Sequence, residues 1–486
     1  GCRAPDWARA ARFGRIRRMR KSLAAALALV WATAQAELPP SLQRILNGHS
    51  IPPGDVSLWV QAVAAREPVI SHLADTPRNP ASTIKLLTTW VALDQLGPTY
   101  TWPTEIYYLG DYVGSELRGD LGLKGYGDPY LVTEEFWKLL GALRRSGLED
   151  VEGDLIVDDS YFAPFDEDPG AFDGQPHRTY NVTPSAVLVN FKAVRFQFLP
   201  DPQGGVRITA DPQPSNLDVD NRVRLVDGPC RGYQAGISFE LADAAGRSAV
   251  FGGQFPRACA PYSLSRSVLQ HDTFAYGVYR TLWAELGGRH RGGMRRGVVP
   301  EGFEPALTWR SRPLAEVIRS VNKFSNNVMT RQLLYTLGGE TAGAPATPEA
   351  GVAAIEAYLE QRDLDIGTLV VANGAGLARE TRISTRLLAE VLLAAARSPL
   401  APEYLASLSL GGLDGTTRGR FNGHSVTGRL HVKTGRLDHV SALAGYVHAG
   451  AGIDYVVVIM LNSPDAHRGP GEELQEALVR WVYDLA

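Results

Sequence analysis

At 486 residues, 44% of them hydrophobic, the chain is too long for one ordinary core and has ample apolar material for two or three domains. A formal net charge of -3, with both signs mixed along the sequence, leaves no polybasic arm and no acidic tail. That distribution excludes nucleic acid as the main partner and favours small or uncharged-patch ligands.

Residues 1–18 are rich in Arg and Ala and precede Met19, where translation is expected to begin. Met19-Arg20-Lys21 then forms a basic segment, residues 23–30 an apolar run, and Ala34-Gln35-Ala36 a small-x-small site. This order predicts a secretory signal peptide cleaved near Ala36, with a membrane anchor as the alternative. The apolar run falls short of the roughly 20 residues that cross a bilayer, and no later segment is longer, so no stable membrane span is expected. With Cys2 upstream of the expected start, Cys230 and Cys259 remain. An even pair in an exported chain predicts one disulfide, two free thiols being the alternative, and closing that loop is worth roughly 3–4 kcal/mol. Neither cysteine has a second Cys or His at zinc-site spacing, and neither a metal nor another cofactor is expected.

Residues 55–63 alternate as a strand. Ser82 then opens a helical pattern carried by Ile84, Leu87, Val91 and Leu96, with Gly97 as its stop. From about 99 to 261 the text changes to short apolar or alternating runs between Gly, Pro and Asp clusters, which predicts a mainly β insertion of one or two subdomains. Helical patterning resumes near Ser267 and continues through residues 313–321, 328–337, 351–361 and 385–396. Three strands follow at 426–434, 440–448 and 453–461, then a helix with Leu474, Leu478, Trp481, Val482 and Leu485 on one face. Strands at both ends with helices between predict one α/β domain built from residues 37–98 and 262–486 and interrupted by residues 99–261.

Ser82 and Lys85 stand three apart on a helix, so their side chains share a face. A serine hydroxyl needs a base, and lysine serves only when neutral, which burial near a second cation achieves. The spacing alone says little, because Ser320-Val321-Asn322-Lys323 also fits it. Ser325-Asn326-Asn327, on a short link between two helical patterns, offers a hydroxyl and an amide for proton transfer and carbonyl binding; such a run also reads as a helix cap. Lys433-Thr434-Gly435 ends an alternating strand, where Gly435 admits a peptide backbone and Lys433 and Thr434 meet a carboxylate; a strand closing in a tight turn is the plain alternative. The three in this order form the motif set of β-lactamases and penicillin-binding proteins.

The chain further resembles the D-alanyl-D-alanine carboxypeptidase/endopeptidase family, the class C low-molecular-mass penicillin-binding proteins. The runs that carry the likeness are Arg78-Asn79-Pro80-Ala81-Ser82-Thr83-Ile84-Lys85-Leu86, Gly125-Tyr126-Gly127-Asp128-Pro129-Tyr130-Leu131, residues 153–162, Tyr180-Asn181 with Pro184-Ser185-Ala186, Asp414-Gly415-Thr416 and Val432-Lys433-Thr434-Gly435. The resemblance implies a penicillin-recognising domain, an antiparallel sheet flanked by helices, acting in the periplasm on peptidoglycan peptides and acylated by β-lactam antibiotics. It implies Ser82 as nucleophile, Lys85 as its base, Ser325 as proton relay, Asn327 and Lys433 as positioning groups, and Thr434 as carboxylate anchor. Backbone N–H groups of Ser82 and Arg436 would form the oxyanion hole, with Asp158 and Arg379 at the diaminopimelate end of the peptide. Two departures stand out: the run before Arg379 reads Asn373-Gly374-Ala375-Gly376-Leu377-Ala378, without the family's Asp and serines, and Arg436 replaces a small hydroxyl residue. A β-lactamase or esterase of the same fold, or a non-catalytic wall-binding scaffold, are the alternatives; the oligomeric state is not legible.

Overall fold

Residues 455–461 form an unbroken apolar run, the pattern of a strand covered on both faces. A computed structural model, which describes residues 37–164, 167–422 and 425–485, places that run inside a six-stranded antiparallel sheet. The order is Ser409–Leu410, Leu430–Leu437, Val440–His448, Asp454–Asn462, Val56–Ala62 and Ile70–His72. An early strand thus pairs with a late one, Leu58 opposite Ile459. Alternation sorts the two faces. Tyr455, Val457, Ile459 and Leu461 join Leu42, Leu46, Leu474 and Leu478 of the helices Pro40–Gly48 and Pro470–Tyr483. Val456, Val458 and Met460 join a larger helical layer built from Lys85–Leu96, Leu314–Phe324, Asn327–Ala342, Pro348–Glu360 and Thr385–Arg397. The expected antiparallel sheet between helices is the observed architecture.

Lys85–Leu96 is buried from Lys85 through Leu93, as a helix apolar on nearly every side must be. Gly97 ends it with a φ of 82°, and its N–H donates to Leu93 O.

The insertion differs from expectation at its far end. Tyr262–Ser267 pairs with Ala193–Pro200, and Leu307–Arg310 pairs with Pro103–Val113, so these sheets hold the chain well past residue 262. The central helical layer resumes only at Leu314. The helical pattern after Ser267 is the helix His271–Glu285, whose Phe274, Val278 and Leu282 pack in the insertion's own core with Phe196, Phe251 and Leu139. Periodicity identifies a helix but not the core that receives it. Cys230 and Cys259 are joined as a disulfide within this part. The expected signal peptide, Met19 and the cleavage point near Ala36 lie outside the described residues. No helix among the described residues is long and apolar enough to cross a membrane.

Candidate active site

The turn that carries Ser82 is fixed from the sheet. Asn462 Oδ1 accepts from Asn79 N (2.8 Å), and Asn462 Nδ2 donates to Asn79 O (3.0 Å). Asn79 Oδ1 in turn accepts from Ala81 N at 2.8 Å, holding Ala81 in the left-handed region (φ 45°). Ala81–Ile84 is a 3-10 turn and Lys85 begins the α-helix, so Ser82 sits half-exposed in the bend and Lys85 is fully buried below it. Lys85 Nζ stands 3.1 Å from Ser82 Oγ, donates to Asn327 Oδ1 at 2.7 Å, and also donates to Ala375 O. Burial holds this amine well below its ordinary value, and the charge of Lys433 lowers it further. A neutral amine has two hydrogens and one lone pair. The two carbonyl acceptors use both hydrogens, which leaves the lone pair for the Ser82 hydroxyl.

Ser325-Asn326-Asn327 divides its tasks. Ser325 closes the helix Leu314–Phe324 in the left-handed region (φ 57°). Asn326 is the cap of the next helix, its side chain accepting from Met329 N at 3.0 Å. Asn327, first in that helix, reaches Lys85 and donates through Nδ2 to Tyr180 O at 3.2 Å. The cap reading applies to Asn326, whereas Ser325 and Asn327 face the two buried lysines. The competing Ser320-x-x-Lys323 match is structural: Lys323 Nζ donates to Leu408 O (2.8 Å) and Asp414 Oδ2 (2.5 Å).

Lys433-Thr434-Gly435 lies inside the strand Leu430–Leu437 rather than at its end, since Gly435 and Arg436 continue the register opposite Ala442 and Ser441. The glycine marks close approach, not a stop. A Cβ on Gly435 would stand 2.5 Å from Pro80 O and 3.1 Å from Ser82 N. Gly435→Ala is expected to push strand and turn apart and slow labelling by a fluorescent penicillin about 100-fold, while the protein stays folded by circular dichroism. Lys433, also fully buried, donates to Ser325 Oγ (2.8 Å) and Thr434 O (2.7 Å), and burial brings its amine down to about 7. Thr434 Oγ1 donates to Thr416 Oγ1 at 2.8 Å. Thr416 was legible only as part of a family-like run; its hydroxyl contact is new, as are the carbonyls of Ala375 and Tyr180.

Arg379 and Asp158, both expected at the diaminopimelate end of the peptide, stand in different surroundings. Arg379 donates from Nη1 to Asp438 O at 3.0 Å, lies 5.0 Å from the Phe172 ring centre, and borders a cavity of about 620 Å³ with Glu167, Arg331, Glu349 and Tyr335. Asp158 is fully buried: one oxygen accepts from Ser160 N (3.0 Å) and Oγ (2.6 Å), the other from Val299 N (2.8 Å). Its carboxylate is consumed in holding the end of the strand Leu155–Asp158, and no face is left for a peptide amine. The altered run before Arg379 is held by its own contacts. Asn373 Oδ1 accepts from Ala375 N (3.1 Å), its Nδ2 donates to Leu377 O (2.9 Å), and Gly374 and Gly376 take φ of 66° and 74°. Arg436 is exposed, its guanidinium 3.9 Å from Glu472.

Known proteins resemble the chain in sequence and in fold. The chain is 28% identical to a D-alanyl-D-alanine carboxypeptidase of Actinomadura over 89% of its own length and 82% of that protein's. It is 23% identical to the D-alanyl-D-alanine carboxypeptidase DacB of Haemophilus influenzae, covering 79% and 80%. Among solved structures, penicillin binding protein 4 of Haemophilus influenzae superposes with a TM-score of 0.77 at 21% identity, over 91% of this chain and 99% of that one. A predatory endopeptidase of Bdellovibrio bacteriovorus shares the fold more loosely, with a TM-score of 0.52 at 16% identity over 88% and 93%. From residue 39 to residue 485 the sequence matches one family, and the chain belongs to it: the D-Ala-D-Ala carboxypeptidase 3 (S13) family.

Proposed function

We propose that the protein is a serine D-Ala-D-Ala carboxypeptidase and endopeptidase acting on peptidoglycan stem peptides and cross-links through an ester on Ser82, and that β-lactams acylate the same atom. The observation that carries this reading is the buried Lys85 amine, 3.1 Å from Ser82 Oγ and donating to two carbonyl oxygens. Ser82 Oγ attacks the carbonyl of the penultimate D-alanine and Lys85 takes its proton. Ser325, fed by Lys433, returns a proton to the departing amine. Thr434 and Lys433 hold the terminal carboxylate, and the backbone N–H groups of Ser82 and Arg436 receive the oxyanion. Asn327 fixes Lys85, and water then hydrolyses the ester. Arg379, beside Phe172, borders the cavity assigned to the acyl-side peptide. The catalytic part comprises residues 37–98 and 314–485, with an accessory part between them. Its substrate requires action outside the cytoplasm, in the periplasm, after export.

The test uses the mature protein with pentapeptide monomers and cross-linked dimers, products identified by mass, alongside penicillin labelling followed by peptide mapping. Release of D-alanine and a long-lived penicilloyl adduct on the peptide holding Ser82 are expected. Rapid turnover of the adduct would instead make the protein a β-lactamase, and an adduct elsewhere would remove Ser82 from the mechanism.

A further inference from the structure

The strand Leu430–Leu437 gives the cleft a direction. Arg379 meets Asp438 O just beyond one end of the strand, and Thr434, four residues back along it, meets Thr416. A substrate whose acyl part points to Arg379 and whose terminal carboxylate rests on Thr434 sends anything further past Thr416. The chain there runs on through Arg418 and borders a groove of about 590 Å³ with Phe324, Arg319 and Ser320. Phe324, immediately before Ser325, is 72% exposed, the highest value among the exposed large apolar residues described. Arg319 and Arg418 make no hydrogen bond or ion pair through their side chains among the described residues. The acids nearby are already engaged: Asp414 with Lys323 at 2.5 Å, and Glu316 with Arg312 at 3.9 Å.

Resting on the proposed function, we infer that this groove seats the departing peptide of a cross-linked substrate, an anionic peptide recognised by Arg319, Arg418 and Phe324. A free D-alanine leaving group ends at its carboxylate, which Thr434 and Lys433 hold, and needs nothing beyond them. A cross-linked leaving group continues past that carboxylate as a second stem peptide bearing further carboxylates. Two guanidiniums without an ion pair, one of them also acting on Asp414 across the groove, and a bare aromatic ring match that continuation in charge and in apolar area. The chemistry is unchanged: the Ser82 Oγ–acyl bond forms, the amide C–N bond breaks, the Ser82 proton passes to the departing nitrogen, and the second peptide leaves as a free amine. The groove thus makes the protein an endopeptidase by preference over a carboxypeptidase.

The test compares the unmodified protein with the double variant Arg319→Glu/Arg418→Glu, and separately with Phe324→Ala, on dimers and on pentapeptide monomers. The double variant is expected to lower kcat/KM on dimers about tenfold or more, with D-alanine release from monomers and penicillin acylation within about twofold of the unmodified protein. Added salt should slow dimer cleavage by the unmodified protein and have little effect on the double variant. Phe324→Ala should lower dimer cleavage while leaving its salt dependence intact. Unchanged dimer cleavage in the double variant would overturn the assignment, and so would equal loss on both substrates, which would mean the arginines merely support the Ser325 turn. Inactivity of the unmodified protein on both substrates would instead refute the proposed activity and take this assignment with it.

Discussion

Ser82→Ala is expected to abolish the penicillin adduct and to lower D-alanine release by about four to six orders of magnitude, measured as product mass over long incubation. The loss is large because no neighbouring group replaces the nucleophile: Ser325 is bound to Lys433, and Thr416 and Thr434 are bound to each other. Stability should barely change. The Ser82 hydroxyl has one side-chain contact, to Lys85, and Lys85 keeps its two carbonyl acceptors when that contact is gone. The thermal midpoint is expected to move by no more than about 4 °C, which separates a chemical effect from a folding defect. Residual cleavage near the starting rate would place the nucleophile elsewhere.

Lys85→Met is expected to slow acylation by about 10²–10⁴, the range for a lost general base, read as the rate of penicillin labelling. Its effect on stability depends on pH. The native amine is held well below its ordinary 10.5, so between the two values the unfolded chain binds a proton that the native site refuses. Stability therefore rises with pH across that window and is lost as pH falls through it. Lys433 adds the same slope between about 7 and 10.5. In Lys85→Met the Lys433 contribution remains and the Lys85 contribution disappears. The urea midpoint should accordingly climb less steeply from pH 7 to 10 than in the unmodified protein, while the Met variant loses two hydrogen bonds worth about 1 kcal/mol each. An unchanged slope would mean that Lys85 is protonated in the native site, and the lone-pair reading of Ser82 would fall.

Much of this site was legible because its parts are side chains at fixed spacing on recognisable elements: Ser82 and Lys85 on one turn, Ser325 and Asn327 on a link, Lys433 and Thr434 on a strand. What escaped is of two kinds. The carbonyls of Ala375 and Tyr180 orient Lys85 and Asn327, and a backbone acceptor has no residue type to betray it. The others depend on contacts between distant parts of the chain. Gly435 reads as room for a substrate backbone until Pro80 and Ser82 are found against it, and Asp158 reads as an available acid until Val299 closes over it. The fold shows the same limit: the strands 440–448 and 454–462 follow from local pattern, whereas the allegiance of 262–310 to the insertion rests on pairing with residues 103–198.

The pairing of Val56–Ala62 with Asp454–Asn462 also sets a schedule. Asn462 is the residue that pins Asn79, and through it the bend of Ser82, so the bend is not fixed until the strand Asp454–Asn462 has emerged. The core cluster formed, among the described residues, by residues from Ile106 to Trp309 can condense well before that. A nascent chain that stops short of Asn462 thus carries Ser82 on a bend that nothing in the sheet yet holds.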